Sequence, residues 1–415
     1  MSRCLAVVLV LIGLTVVGCA SGRGGSERGI EPTVARLGSI PNEKLAGVIV
    51  DLAAPQVVDF ATMIQRLSDA RVVCVGEAHD NLEHHLLQRD VIEALLKQRG
   101  QLAVGMEMFQ NHQGEPLDAY TLRGETDEKT FVRNVDYYGT WGFSYSLYRP
   151  ILDAARAAKL PVVGLNVKRE IVRKVARGGL KSLSTEECAA IPEVDTGNAE
   201  HKEYVLKRFG GHEGRGPMSA EFFYEAQCLW DEYMAESAAA FLRKPGNEKS
   251  NMVVVAGNGH IEYKFNIPDR LAKRSGLAVK TVVAIHVEKD EKLDFTELLK
   301  SGIADFVVFT GPPAAAEERP MLGVGLGEAK EAADASGAKV TGVSLESVMP
   351  DSPAAEAGLK SGDVIVRLAD TEITSATDVR YALEGHKIGD TVEVTALRDG
   401  QRVEVMVALK AMKQE

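Results

Sequence analysis

Short apolar runs alternate with longer amphipathic stretches between about residue 46 and residue 310. The apolar runs predict β-strands at Gly47–Leu52, Arg71–Val75, Leu102–Met106, Leu160–Leu165, Met252–Ala256, Val279–Val287 and Phe306–Thr310. The amphipathic stretches predict helices at Leu82–Lys97, Ile151–Lys159 and Ala220–Leu242. Strands separated by helices of this length usually form parallel sheets. Residues 46–310 therefore predict an α/β domain with a largely parallel sheet flanked by helices.

The pattern changes after residue 310. Gly311–Pro320 has no periodicity and is rich in proline and alanine, which is typical of a linker, and we place this linker at residues 311–318. Beyond it, short runs predict strands at Val340–Leu345, Val364–Leu368, Thr391–Arg398 and Val403–Leu409. Helices are predicted at Ser352–Ala357 and from Ser375 to about Glu384. Residues 319–412 therefore predict a small, β-rich second domain.

This second domain resembles a PDZ domain of the bacterial type. The motifs that carry the resemblance are Met321-Leu-Gly-Val-Gly-Leu326, Ser352-Pro-Ala-Ala-Glu-Ala-Gly-Leu359 and Lys360-Ser-Gly-Asp-Val-Ile-Val366. PDZ domains bind the C-terminal end of an extended peptide along a sheet edge, so the resemblance implies a peptide or membrane-protein tail as partner. It places Leu322, Gly323 and Val324 in the carboxylate-binding loop, and Val379 and Leu383 on the groove helix. The alternative is an occluded groove, and the acid- and alanine-rich insertion Gly327–Ala338 bears on access to it.

The N-terminus predicts export. Arg3 precedes an apolar run from Leu5 to Val17, which is too short for a comfortable membrane span and is followed by Gly18 and Cys19. These residues resemble the lipobox of bacterial lipoproteins, which implies removal of residues 1–18 and lipid attachment at Cys19. We then expect a flexible tether over residues 19–45 and a location in the bacterial envelope, on the outer membrane facing the periplasm. The alternative is a plain secretory signal in which Cys19 has no role.

Composition excludes some partners. The chain has 415 residues and a net charge of −11 without a basic block, which argues against nucleic acid as a partner. Three cysteines lie beyond the predicted signal and Cys19: Cys74, Cys188 and Cys228. Cys74 falls in a predicted strand and is expected to be buried. A Cys188–Cys228 disulfide is compatible with an oxidising periplasm, but the sequence does not establish it.

Polar side chains with acid–base or metal-binding chemistry follow the predicted strands. They are Glu77, His79, Glu107, Asn258 and His260. Because ligands bind at the carboxyl ends of parallel strands, we expect these residues to line one cleft. The histidines and glutamates suit a divalent transition metal, or they act as general acid and base. The alternative is that each residue only caps a strand or helix end.

Neighbouring residues add three further predictions. Asp80 and Asn81 are expected to cap the helix that follows, in which one of His84 and His85 can reach the cleft. His201 and His212 fall in a charged, glycine-containing stretch that predicts a loop. The aromatic run from Tyr137 to Tyr148 predicts either a packed corner or a wall for a large planar ligand.

Taken together, the motifs of the first domain resemble the ChaN-like haem-binding lipoprotein family. They are Gly76-Glu-Ala-His-Asp80, Gly105-Met-Glu-Met-Phe109, Leu147-Tyr-Arg-Pro150, Gln227-Cys-Leu-Trp-Asp231 with Met234-Ala235, and Gly257-Asn-Gly-His260. This family belongs to a wider group with Tiki-type metalloproteases, TraB proteins and erythromycin esterase. The resemblance implies haem as cofactor, a role in iron or haem uptake, and a homodimer as one arrangement. It implies Glu77, His79, Glu107, Asn258 and His260 as cleft lining.

The resemblance also implies a tyrosine as an axial ligand. Tyr148 is our choice and Tyr145 the second, so that the predicted iron-binding residues are Tyr148, His79 and His260.

Two functions stay open at this stage. The first is a non-catalytic, haem-binding lipoprotein, in which a phenolate ligates iron and the aromatic run covers the porphyrin. The alternative is a metal-dependent periplasmic peptidase or esterase that uses Glu77, His79, Glu107 and His260. Carboxylates at strand ends suit a hydrated metal or a catalytic water better than a porphyrin face, whereas the resemblance favours haem. A scaffold that has lost its ligand is a third hypothesis.

Overall fold

The computed structural model describes residues 29–209, 219–312, 320–333 and 336–411. They form two compact units, one built from residues 29–124 and 149–312 and the other from Glu125–Tyr148 together with residues 320–411. The predicted first domain, 46–310, is therefore interrupted, because Glu125–Tyr148 belongs to the unit that contains the C-terminal domain. The predicted signal peptide, Cys19 and most of the predicted linker lie outside the described residues.

The first unit is built on a sheet of mixed direction. Within the described residues, the order of the eight strands is β2-β1-β8-β7-β3-β6-β4-β5. The strands are β1 Ile49–Asp51, β2 Gln56–Val58, β3 Val72–Glu77, β4 Leu102–Gln110, β5 Val162–Asn166, β6 Asn251–Gly257, β7 Val279–His286 and β8 Phe306–Thr310. Strand β1 pairs antiparallel with both β2 and β8, whereas all other pairs are parallel. The predicted largely parallel α/β sheet is confirmed, and β2 is a strand that the sequence did not indicate.

Helices flank and connect these strands. They are α1 Ile30–Gly38, α2 Phe60–Leu67, α3 Leu82–Arg99, α4 Gly114–Thr121, α5 Glu128–Asn134, α6 Tyr137–Thr140, α7 Tyr145–Ala157, α8 Arg169–Gly178, α9 Thr185–Ala189, α10 Ala199–Phe209, α11 Ala220–Arg243, α12 Ile267–Ser275 and α13 Phe295–Lys300. Of these, α5, α6 and the first turn of α7 lie in the Glu125–Tyr148 segment. Asn81 caps α3 by accepting a hydrogen bond from the backbone N–H of Glu83, as its sequence position predicts.

The predicted tether is wrong from Ile30 onward. Ile30, Val34 and Leu37 recur at helical spacing and place α1 against the core, in which Leu37 and Leu45 have no exposed surface. The surrounding glycine and charged residues made the segment resemble a linker, so the short apolar stripe did not indicate a helix. Among the described residues, no helix is both long enough and apolar enough to cross a membrane.

The second unit contains a five-strand path in the order β10-β11-β12-β14-β15, to which β13 is added beside β12, and a separate β9–β16 pair. Its strands are β9 Pro320–Met321, β10 Val324–Ala333, β11 Lys339–Val348, β12 Val364–Leu368, β13 Thr371–Glu372, β14 Thr391–Arg398, β15 Gln401–Ala408 and β16 Lys410–Ala411. Its two helices in the C-terminal region are α14 Pro353–Glu356 and α15 Ala376–Glu384. The antiparallel, β-rich architecture agrees with the prediction.

The predicted insertion Gly327–Ala338 proves to be largely strand. Ala329 to Ala333 pair with residues 339–343 of β11, after register shifts near Leu326. Alanine and glutamate have low β-propensity, which is why the sequence did not indicate a strand here. Backbone pairing with β11 nevertheless holds this segment in the strand conformation, which its side chains favour only weakly.

The cysteines among the described residues form no disulfide bond. Cys74 and Cys228 are buried, Cys188 is exposed, and all three are free thiols. The Cys188–Cys228 disulfide that the sequence left open is therefore absent.

Gly164 allows close contact between β5 and the end of β4. A Cβ atom at Gly164 would lie 2.4 Å from the backbone oxygen of Gln110 and 2.9 Å from its carbonyl carbon. Gly164→Ala is therefore expected to cost about 1–3 kcal/mol of unfolding free energy, because the backbone must shift. The measurement is denaturant unfolding followed by circular dichroism. Gly114→Ala is the matched control, since a Cβ there meets nothing within 4 Å; equal stability of the two variants would contradict the prediction.

Candidate functional site

Strand order brings the predicted site residues to one edge of the sheet. Glu77 ends β3, Glu107 lies in β4, and His260 ends the 3-10 turn that follows β6. Strand β6 pairs in parallel with β3 on one side and β4 on the other. Parallel pairing aligns the carboxyl ends, so the three segments deliver their polar residues to the same place.

Glu77 holds two imidazoles. Its Oε1 lies 2.5 Å from Nδ1 of His79, and its Oε2 lies 2.6 Å from Nδ1 of His85. The Nε2 atom of His85 is 3.3 Å from the backbone oxygen of His79, which adds a second link between the two histidines. The side chains of Glu77 and His85 have no exposed surface, whereas that of His79 is 27% exposed. His79 is therefore the member of this cluster that faces solvent.

Glu107 and Asp231 hold the third imidazole. Nδ1 of His260 lies 2.6 Å from Oδ1 of Asp231, and its Nε2 lies 3.4 Å from Oε1 of Glu107. The other oxygen of Glu107 accepts a hydrogen bond of 2.8 Å from the backbone N–H of Gly257. His260 is thus fixed between two buried carboxylates.

The two clusters meet at Gly257. A Cβ atom there would lie 2.8 Å from Cε1 of His79 and 3.7 Å from Oε2 of Glu107. Because Gly257 has no side chain, the imidazole of His79 can approach the strand end beside Glu107. The structure therefore brings Glu77, His79, Glu107 and His260 together.

Asn258, also predicted to line the cleft, contacts neighbouring strands instead of the histidines. Its Nδ2 donates a hydrogen bond of 2.8 Å to the backbone oxygen of Ala284 in β7, and its side chain occupies the space over Gly76. Asn258 thereby ties the turn after β6 to β7. Asn166 similarly donates to the backbone oxygen of Glu107 at 3.0 Å.

The contacts between histidines and carboxylates determine which of these side chains are charged. Burial opposes protonation of His260, but Glu107 and Asp231 outweigh it and raise the pKa of His260 to about 10. Burial likewise opposes ionisation of Glu77, but His85 and His79 lower its pKa to about 2. The pKa values of His79 and His85 are raised despite their burial, because Glu77 favours the charged form of both. At neutral pH, His260 is therefore an imidazolium and Glu77 a carboxylate.

This charge state limits metal binding. A protonated imidazole has no nitrogen lone pair to give, so a metal must first displace a proton. Among the described residues, no group of three or more His, Cys, Asp or Glu side chains is arranged to hold a metal ion. The alternative metal site at Glu77, His79, Glu107 and His260 is therefore not assembled: these four residues are close, but their polar atoms are directed at one another and at Asp231.

Sequence reasoning missed Asp231 and did not decide between His84 and His85. Asp231 lies on α11, one turn after Gln227, whose Nε2 is 3.1 Å from Nδ1 of His260. This i, i+4 spacing inside the Gln227–Asp231 motif is the signal that could have found it. His85 reaches the cluster, whereas His84 accepts a hydrogen bond of 2.8 Å from the backbone N–H of Ala78 and lies 2.9 Å from the hydroxyl of Thr310.

The loop predicted at His201 is wrong. His201 lies on α10 and is fully buried, with Nε2 at 3.6 Å from Oδ2 of Asp231. Burial lowers the pKa of His201 to about 4, so this ring is neutral behind the charged cluster. His212 lies outside the described residues.

The aromatic run of the second unit forms a packed cluster. Tyr137, Tyr145 and Tyr148 have no exposed surface. The ring of Tyr145 meets that of Tyr137 edge to face at 5.3 Å, and Tyr148 meets Trp141 at 6.3 Å. Neither candidate axial tyrosine, Tyr148 or Tyr145, is presented to solvent in this structure.

In the second unit, an edge strand and a helix lie side by side at the predicted peptide-binding residues. Strand β10 ends the sheet, so its outer edge has no strand partner among the described residues, and α15 packs beside it. Leu322 and Val379 belong to the core, whereas Val324 and Leu383 are half-buried against it. Gly323 has φ +74°, a conformation that favours glycine in the loop before β10.

Two protein-family models match the chain. Residues 63–271 match the family described as haem-binding uptake, Tiki superfamily, ChaN. Residues 320–409 match the PDZ domain. The chain therefore carries a ChaN-like haem-binding domain and a C-terminal PDZ domain.

Individual relatives match smaller parts of the chain. The serine protease Do-like HtrA of Lactococcus lactis subsp. cremoris is 43% identical over 98 residues, which are 22% of this chain and 24% of the relative. A probable periplasmic DegP-like serine endoprotease of Pseudomonas fluorescens is 28% identical over 173 residues, or 41% of this chain and 32% of the relative. The chain thus spans a third or less of these curated relatives. Among solved structures, ChaN of Campylobacter jejuni with cofacially bound haem is 18% identical, with a TM-score of 0.49 and coverage of 63% of this chain and 95% of ChaN.

The pairing of His260 predicts a pH dependence of stability. Its pKa is about 10 in the folded protein, against an ordinary value of 6.5. Its contribution to stability is therefore complete below pH about 6.5 and is lost as the pH rises through about 10. We expect the melting temperature to fall more steeply between pH 7 and pH 10 in the wild type than in His260→Gln, as measured by calorimetry. Parallel curves for the two proteins would contradict the assignment.

Proposed function

Because the chain belongs to the haem-binding uptake family of the Tiki superfamily that includes ChaN, we propose that it binds haem at the edge of the first unit's sheet. The observation that carries the proposal is a partly exposed imidazole, His79, whose orientation is fixed by the buried carboxylate of Glu77. Bound haem supplies an iron atom that accepts axial ligands from side chains. The histidine and carboxylate side chains at this edge of the sheet are compatible with haem binding.

The residues of the site take different roles toward haem. We assign His79 as the histidine ligand of iron, because a carboxylate hydrogen-bonded to one nitrogen of a ligating histidine is the common arrangement in metal proteins, and Nδ1 of His79 lies 2.5 Å from Oε1 of Glu77. Deprotonation of His79 accompanies that ligation. His260 is protonated and held on both sides, so it acts as a hydrogen-bond donor and not as an iron ligand. Glu107 keeps His260 in place.

Tyr148, with Tyr145 as second choice, remains the proposed phenolate ligand. Both side chains are fully buried in the aromatic cluster, so ligation by either one requires its ring to become exposed. A homodimer with haem held between subunits belongs to the same proposal.

The PDZ domain extends the proposal to a second partner. The outer edge of β10, which has no strand partner among the described residues, can accept an extended peptide as an added strand, and the loop at Leu322–Val324 can receive its terminal carboxylate. We therefore propose a peptide or membrane-protein tail as the ligand of this groove. Haem capture and partner binding would then occur on one chain.

The place of action is a proposal from the N-terminal sequence. The apolar run before Cys19 supports export and lipid attachment, and hence a lipoprotein on the outer membrane that faces the periplasm. In that location a haem-binding protein with a partner-binding domain would serve iron or haem uptake.

The second candidate function is hydrolysis of a peptide or ester. The observation that favours it is the Glu77–His79 pair, which resembles a base with its orienting carboxylate, beside the imidazolium of His260 as a fixed hydrogen-bond donor. In this chemistry the neutral form of His79 accepts a proton from water. It does not need the metal site that the sequence predicted.

Haem titration tests the first proposal. The protein without residues 1–18 is expected to give a saturable change in the Soret band. Glu77→Gln should weaken haem binding about 10- to 100-fold, because the carboxylate that orients His79 is lost. His79→Ala combined with Tyr148→Phe should abolish the saturable change.

The matched control is His386→Ala, because His386 pairs with Asp390 in the PDZ domain. It should bind haem as the wild type does. A wild-type titration without saturation, or one unaffected by the double substitution, would contradict the proposal; turnover of an ester substrate lost in His79→Ala would favour the second candidate.

A further inference from the structure

Helix α8 presents a basic face on an acidic protein. The segment 168–181, which spans α8 and the turn after it, has six basic residues and one acidic residue, Glu170, whereas the net charge of the chain is −11. Five of the basic side chains are exposed: Lys168, Arg169, Arg173, Arg177 and Lys181. Apolar residues separate these cations along the sequence, so they form no contiguous basic block there. The period of the α-helix brings the three arginines, which are spaced four apart, to one side of α8. We call this side, with Lys168 before it and Lys181 after it, the basic face.

The other side of α8 is buried in the first unit. Val172 and Val175 lie in an apolar cluster that α8 shares with α11. Arg173 and Arg177 are exposed on the side of the helix away from this cluster. The buried apolar side chains of α8 therefore stabilise the protein itself and cannot enter a lipid bilayer while α8 is packed in this way. What the helix offers to a partner is positive charge.

Most of the charge of the basic face is unpaired within the described part of the chain. Among those residues, no ion pair involves Lys168, Arg173, Arg177 or Lys181. Lys174, on the same helix, differs from them because it forms a salt bridge of 2.6 Å with Glu187. Like charges four residues apart on a helix repel each other, so an anionic partner would relieve the repulsion between Arg173 and Arg177.

An anionic membrane surface fits this face for two reasons. The basic face is the outside of a helix, on which Arg169 and Arg177 are separated by about 12 Å along the axis. A row of exposed cations of this length can contact several separate phosphate groups, as a phospholipid surface presents them. The N-terminal sequence supports lipid attachment at Cys19, and a chain that is held at a membrane needs only a weak further contact to dock on it.

We propose that the basic face of α8 docks on the anionic phospholipid surface of the membrane to which the protein is attached. The contact is electrostatic, because the apolar side chains of α8 are buried. It is therefore sensitive to salt, which screens the interaction between exposed charges. This inference adds a membrane contact to the proposed binding of haem and peptide, and it rests on the proposed location in the bacterial envelope.

Vesicle binding by the protein without residues 1–18, which carries no lipid, tests the proposal. We expect it to co-sediment with vesicles of phosphatidylglycerol and phosphatidylcholine in equal parts, but not with phosphatidylcholine alone, and to be released by about 1 M salt. Arg173→Gln combined with Arg177→Gln should weaken binding about 30-fold, since each cation near an anionic membrane contributes about fivefold. Arg173→Lys combined with Arg177→Lys should retain binding, because the charges are kept.

The matched control is Lys97→Gln combined with Lys300→Gln, which removes the same charge from exposed positions on α3 and α13 and should leave binding unchanged. Equal loss of binding in the two glutamine variants would overturn the proposal, because net charge and not the basic face would be the cause. It is also overturned if the wild type does not bind the anionic vesicles, binds both kinds of vesicle alike, or binds no better than the arginine-to-glutamine variant. These vesicles report the contact independently of lipid attachment, which mass spectrometry of Cys19 in protein from the cell envelope tests separately.

Discussion

Carboxylates that are buried at the end of a parallel sheet must find cationic or N–H partners, because an unpaired charge in that environment costs several kcal/mol. Glu77, Glu107 and Asp231 meet this requirement with His79, His85 and His260. The requirement fixes the ring orientations and keeps His260 protonated at neutral pH. It also explains why the site is not a ready-made metal site, although its composition suggests one.

The same arrangement suits the proposed role of His79 as an iron ligand. A ligating histidine works best when its second nitrogen is held, and Glu77 holds that of His79 while leaving the ring partly exposed. The PDZ unit adds a constraint of a different kind, since the segment with the candidate tyrosines is bonded along α15.

Much of the fold follows from local patterns in the sequence. The apolar runs of β3, β4 and β6 and the polar residues after them predicted the sheet and its functional edge, because parallel strands align their ends. Asp231 could not be assigned in this way, since α11 reaches the site only through tertiary packing. His201 was misplaced because a charged helix with one buried ring has the composition of a loop. The association of Glu125–Tyr148 with the PDZ domain depends on contacts more than 200 residues apart in the chain, which no local pattern indicates.

Buried carboxylates keep His260 protonated and hold it as a hydrogen-bond donor. Nitrogen-15 NMR of histidine-labelled protein without haem tests this most directly, because it reports the protonation of each ring nitrogen. At pH 8 both ring nitrogens of His260, identified by its absence in His260→Gln, are expected to carry protons and to lose one only near pH 10. A His260 ring that is neutral at pH 8 and titrates near its ordinary pKa would contradict the account.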